Sequence, residues 1–112
     1  MKVSEAQCSF GDTIRNYREK SGHTLKEISE IIEIDISLLA KIERDERQPS
    51  KEVLSQLAKI YNIDERNLQS ILLSDQIAYK IIEESADIKV LKLAEKKVEF
   101  FKLKQDEEDK GC

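Results

Sequence analysis

Few residues in this chain are spaced for covalent or metal chemistry. His23 is the only histidine, so a site that needs several imidazoles, or a nucleophile paired with a second histidine, is poorly supplied. As a lone loop residue it is expected to face solvent. Cys8 and Cys112 lie near opposite ends with no paired metal or redox spacing and read as free thiols. A disulfide between the ends, or across a dimer, is the alternative after oxidation in vitro. The carboxylate pairs Glu83-Glu84 and Glu107-Glu108 are adjacent in sequence and read as solvated. With no glycine-rich phosphate loop either, the expectation is a protein that is not an enzyme, with no cofactor and no metal.

Composition bounds what can position any other function. A chain of 112 residues supplies one domain with a short appendage, not two independent cores. Apolar residues at 39%, charged residues at 38%, a single Pro, three Gly and no Trp favour exposed helices over turn-rich sheets. No stretch has the apolar length of a membrane span, and the start MKVSEAQCSF lacks the apolar core of a signal peptide, so a cytoplasmic protein without membrane contact is expected. Lys and Arg number 19 against 23 Asp and Glu, a net charge of -4, and between residues 10 and 73 ten basic face twelve acidic residues. Bulk attraction to a polyanion is therefore absent, and any nucleic-acid contact must come from a local face.

The apolar spacing is helical throughout, and local signals divide it. Phe10 to Lys20 reads as a first helix ending at Ser21-Gly22. Thr24 with Glu27 forms a capping box that starts a second helix, running to Ile32. Asp35 is the expected N-cap of a third helix, Ile36 to Arg44, followed by a polar loop from Asp45 to Pro49. Ser50 caps a fourth, Lys51 to Tyr61, which stops at Asn62, and Asp64 caps a fifth ending near Leu73. Connections this short force the five helices around one core.

Two short helices joined only by Glu33, Ile34 and Asp35 form an arrangement in which the second can enter a DNA major groove. The run FGDTIRNYREKSGHTLKEISEIIEIDISLLAKIERDERQPSKEVLSQLAKIYNIDERNL, residues 10 to 68, resembles the Cro and lambda-repressor (XRE-type) family of helix-turn-helix regulators. Its most specific piece is Leu39 through Pro49, with Lys41-Ile42-Glu43-Arg44 followed by Arg47-Gln48-Pro49-Ser50. The resemblance implies an all-α five-helix DNA-binding bundle whose third helix is the recognition helix.

On that helix Ile36, Ser37, Ala40 and Lys41 are the expected base-reading residues, with Leu39 and Ile42 facing inward. Lys41 can donate to guanine O6 and N7, Ser37 can bond a base edge or a phosphate, and Ile36 can touch a thymine methyl group. Thr24, Lys26, Arg44, Arg47, Ser50 and Lys51 are the expected phosphate contacts, opposed locally by Glu43, Asp45 and Glu46. For Arg47 a loop salt bridge to Glu46 or Asp45 is the competing reading. Arg18 and Glu43 occupy positions that commonly pair in this family and are assigned to architecture. Two departures stand out. Leu25 sits where the family often has Gln, which removes a phosphate donor; Glu33 and Asp45 sit where it often has Gly, so an altered inter-helix turn is expected.

Beyond Leu73, Ser74-Asp75 is expected to cap a helix carrying Ile77, Ile81 and Ile82, and Ser85 to open a last helix to about Lys104. The domain reading is a flexible lead-in at 1–9, the DNA-binding domain at 10–73, a helical extension at 74–104 and an acidic flexible tail at 105–112. Leu91, Ala94, Val98 and Phe101 recur at three- and four-residue steps and are the expected dimer interface; packing on the parent domain is the alternative. This ending also resembles a tail found on regulators encoded beside DNA methyltransferases. Together these readings give a homodimeric, operator-binding transcriptional regulator with double-stranded DNA as partner, in the narrowest form one controlling a restriction-modification locus. The alternative is a protein-interaction module, such as an antitoxin or anti-repressor, that uses the apolar C-terminal helix.

Overall fold

The computed structural model describes residues 7–110, with side chains through residue 106. The described residues form six helices and no strand: α1 (Phe10–Lys20), α2 (Leu25–Ile32), α3 (Ile36–Glu43), α4 (Lys51–Ile60), α5 (Glu65–Glu83) and α6 (Val90–Lys110). None of them is long and apolar enough to cross a membrane. The chain divides into two units, Met1–Ile77 and Ala78–Cys112, with α5 contributing to both.

Local signals set the first four helices. Ser9 caps α1 through a capping box with Asp12, and Gly22 adopts the left-handed conformation (φ 74°) just past its end. Thr24 and Glu27 form the second capping box. Ser50 caps α4 by accepting from the Val53 amide at 3.2 Å, and Asn62 closes it at φ 54°. Asp35 occupies the N-cap position of α3 but makes no side-chain cap bond. Its carbonyl instead takes the Leu38 amide at 3.0 Å, so the donor that the carboxylate would have capped is already satisfied.

Each helix of the first unit turns one apolar stripe inward. Phe10 and Ile14 of α1, Ile28 and Ile32 of α2, Leu39 and Ile42 of α3, Val53, Leu54, Leu57 and Ala58 of α4, Tyr61, and Leu68 of α5 form a single buried cluster. Burying each large side chain stabilises the fold by about 1.5–3 kcal/mol relative to leaving it exposed. This shared core is what holds α3 in place.

The second unit departs from the sequence-based expectation. Ser74 and Asp75 do not start a new helix; α5 passes through them. Ser74 Oγ donates back to the Ile71 carbonyl at 2.8 Å, and the Asp75 carboxylate accepts from the Phe10 amide at 2.7 Å. Both capping side chains are therefore engaged elsewhere, and nothing interrupts the backbone ladder. Ser85 closes α5 instead of opening α6: it is left-handed at φ 50°, and the Ala86 amide returns to the Ile81 carbonyl. Asp87 sits ahead of α6, its carboxylate accepting from the Lys89 amide at 2.8 Å. The α6 helix continues to Lys110, through most of the segment read as an acidic tail.

Candidate nucleic-acid interface

The α2–turn–α3 segment is built on two devices. The first is the turn itself. Glu33 ends α2 at φ 57°, ψ 47°, and the Ile34 amide reaches the Ser29 carbonyl at 3.0 Å, which directs the chain into α3. The expected alteration of this turn does not occur, because Glu33 takes the left-handed conformation that glycine would have supplied, at a strain of about 1–2 kcal/mol. Asp45 does the same at φ 61°.

The second device is a buried ion pair. Arg18 Nε donates to Glu43 Oε2 at 2.8 Å and Nη2 to Oε1 at 3.0 Å, while Nη1 donates to the His23 carbonyl at 3.0 Å. Hydrogen bonding to Glu43 holds the Arg18 guanidinium above its ordinary range. The side chains are only 13% and 5% exposed, so the pair is shielded from water and ties α1 to the C-terminal end of α3. The ring of Tyr61 lies in the core nearby and stacks on Tyr17 with centroids 5.9 Å apart. No partner for its buried hydroxyl is found among the described residues, and burial pushes that group up to about 12.

Pinned in this way, α3 buries Leu39, Ile42 and Glu43 and leaves the opposite side open. Ile36, Ser37 and Lys41 are exposed and Ala40 is half-buried. Ser37 and Lys41 are four residues apart and stand one above the other on the helix. Leu38 is half-buried against the core.

The flanking residues present a mixed picture. Thr24 Oγ1 accepts from the Glu27 amide at 3.1 Å, which leaves its proton free to donate outward. Glu27 Oε1 in turn accepts from the Thr24 amide at 2.9 Å, and that backbone bond holds the Glu27 carboxyl below its usual range. The α2 start therefore carries a carboxylate beside exposed Lys26. His23 is half-buried, with Nδ1 3.8 Å from Glu27. Arg44 pairs with Glu46, and both are exposed. Asp45 is occupied by the Gly11 amide at 2.9 Å. The loop salt bridge considered for Arg47 is accordingly not formed among the described residues; exposed Arg47, Ser50 and Lys51 line the far flank.

Three positions shape this site in roles that the sequence reasoning did not give them. A Cβ on Gly11 would lie 2.4 Å from the Glu43 carbonyl oxygen and 2.7 Å from Asp45 Oδ1, so glycine is what allows α1 to lean on the end of α3. An isolated glycine inside a helical pattern was the available signal for this. Asp45 and Asp75 cap α1 from 34 and 65 residues away, and no local pattern announces them. Elsewhere, Cys8 is a free thiol and Cys112 lies outside the described residues. No cluster of three or more metal-ligating side chains occurs among the described residues.

An inner-faced α3, a three-residue turn and an outward row of polar side chains define a helix-turn-helix domain. Residues 14–68 match the helix-turn-helix family model. Among known proteins, the HTH-type transcriptional regulator ImmR of Bacillus subtilis is 36% identical over 55 residues, covering 49% of this chain and 43% of ImmR. The transcriptional regulator ClgR of Mycobacterium tuberculosis is 40% identical over 45 residues, covering 40% of each. The match thus spans less than half the length of these relatives. A solved SinR protein/SinI protein complex aligns at 20% identity with a TM-score of 0.49, covering 87% of this chain and 98% of that one.

Proposed function

We propose that this protein is a sequence-specific DNA-binding transcriptional regulator that engages an operator as a homodimer, with α3 in the major groove. The observation that carries this is the way α3 is held: its inner face is buried and locked by the Arg18–Glu43 pair, while Ser37 and Lys41 stand free on the outer face. A helix fixed from behind and polar in front can present donors to base edges without paying to order itself on binding. Lys41 is the base reader, and Ser37, Ile36 and Ala40 complete the contact surface. Thr24, Lys26, Arg47, Ser50 and Lys51 hold phosphates. Arg44 joins them only by exchanging Glu46 for a phosphate, a modest loss because an exposed pair contributes about 0–1 kcal/mol.

A dimer offsets the weak local charge, because two half-sites about 34–36 Å apart raise affinity without new kinds of contact. The exposed Leu91, Ala94, Val98 and Phe101 support α6 as the subunit contact. The same exposed face also supports the second reading, a protein-interaction module that uses α6 to hold a different protein. Control of a restriction-modification locus is the narrowest form of the first reading and rests on the resemblance of the C-terminal tail alone.

Selection from a random duplex pool at low salt tests the proposal. Enrichment of a two-fold symmetric motif is the expected result, and folded protein that enriches no motif overturns it in favour of the interaction module. On the selected operator, Lys41→Ala relaxes preference at particular base pairs, whereas Lys51→Ala weakens binding to all sequences and flattens the salt dependence. Equal effects from both would refute the division between base and phosphate contacts.

A further inference from the structure

A groove of about 660 Å³ lies between α4 and α5 of the first unit. Ser50 and Lys51 form part of its rim, and α5 lines it with Arg66, Gln69, Leu73 and Gln76. These α5 positions recur at steps of three and four residues, which sets them along one face of the helix over about 15 Å. The charge of the groove is net positive. Its one carboxylate is Glu65, and one oxygen of that group is taken by Ser55 Oγ at 2.6 Å. Lys51 and Arg66 are exposed, and neither forms an ion pair among the described residues. Neither serves its own helix, because both lie in a first turn, where a positive charge is disfavoured. The side-chain amides of Gln69 and Gln76 add further donors. Within a segment whose overall balance is acidic, this is a local cationic face of the kind a polyanion requires.

We propose that the sugar-phosphate backbone of the operator continues past Ser50 and Lys51 into this groove, where Arg66 holds a further phosphate and Gln69 and Gln76 donate to the backbone beside it. The backbone of a duplex is a ridge of anionic phosphates joined by sugars whose carbons are apolar. A concave face with cations and amides along it, and half-exposed Leu73 between the two glutamines, complements both parts of that ridge. The planar fork of Arg66 can grip two phosphate oxygens at once. The inference rests on the DNA-binding reading and adds to it a backbone contact from α5, a helix outside the α2–turn–α3 segment.

Copies of the selected operator, each with one phosphate replaced by a neutral methylphosphonate, test it when titrated with the full chain. For the unaltered protein, neutralising the phosphate held by Arg66 is expected to weaken binding, and the same change is expected to cost Arg66→Ala nothing further. That phosphate differs from the one that couples to Lys51→Ala. Arg66→Ala is also expected to lower the slope of log affinity against log salt by about one, and Arg66→Lys to restore it. Lys59→Ala removes an exposed cation of α4 outside the groove and is expected to couple to no phosphate. If the duplex binds but no phosphate couples to Arg66, or if Arg66 and Lys51 couple to the same one, the inference is overturned and the DNA-binding reading stands. Weaker binding by Arg66→Ala with an unchanged salt slope and no coupled phosphate means that Arg66 acts away from the DNA, and this too overturns the inference. Folded protein that binds no duplex removes the DNA-binding reading and the inference with it.

Discussion

The two units of this chain use similar residues to opposite ends. In the first, every helix finds partners within the chain, and the buried side chains form one cluster from Phe10 to Leu68. In the second, no described residue from 78 to 106 is buried, although Ile82, Ile88, Leu93, Phe100 and Leu103 are as apolar as anything in the core. The contrast shows that helical periodicity says which face of a helix is apolar but not what covers it. A capped amphipathic helix inside a bundle and one whose apolar face is exposed carry the same local signal.

Removing the device that fixes α3 gives the largest expected effect. Arg18→Ala leaves the Glu43 carboxylate buried and unpaired, and denaturant melts are expected to show a loss of about 3–5 kcal/mol. Arg15→Ala, which breaks only the exposed pair with Glu19 at 3.5 Å, changes stability by less than about 1 kcal/mol. Equal losses from the two would mean that burial does not distinguish these pairs.

Next in size is the core at alkaline pH. The Tyr61 hydroxyl is pushed up to about 12 by burial, above its ordinary value of 10.0 in the unfolded chain. A group raised in the folded state contributes stability that is fully present below pH 10 and is lost as pH rises through about 12. The expected loss is about 2–3 kcal/mol relative to Tyr61→Phe, which lacks the titrating group. At neutral pH Tyr61→Phe is expected to gain about 1 kcal/mol by removing a buried hydroxyl without a partner. Parallel pH profiles for the two proteins would refute this account.

Smaller still is the turn. Glu33→Gly relieves the left-handed strain and is expected to raise stability by up to about 1 kcal/mol, whereas Glu33→Ala leaves it unchanged. At the low end, Phe101→Ser is expected to alter the melting of dilute protein by no more than about 0.5 kcal/mol, since its ring is 55% exposed in the single chain. A large loss there would show that α6 already contributes to the stability of the single chain.

The parts that were legible in the sequence are those written within a few residues. Ser9 escaped notice, but Thr24 with Glu27, Ser50, Asn62 and Asp64 mark their helix ends because a cap and the amide it satisfies are neighbours in the chain. The pairing of Arg18 with Glu43 was accessible only through family resemblance, since no spacing rule links residues 25 apart. Ser74-Asp75 misled for the converse reason: two good capping residues side by side read as a helix start, yet their side chains are spent on Ile71 and Phe10. Among the residues expected to contact DNA, Lys41 and Arg47 are exposed, while the engagement of Arg44 and Asp45 by Glu46 and Gly11 is not written in the local sequence.

The start of α1 carries a final consequence, for cooperativity. Its first three amides are satisfied by Asp75, Asp45 and Ser9 respectively, so the helix end is closed by residues drawn from three separate parts of the chain. Such an end cannot fray alone. Opening it releases the loop after α3 and the middle of α5 together, and opening either of those exposes α1. Hydrogen exchange at the Phe10 amide should therefore follow the integrity of α5 at residue 75 more closely than that of its own first turn, making one amide a reporter on the closure of the whole first unit.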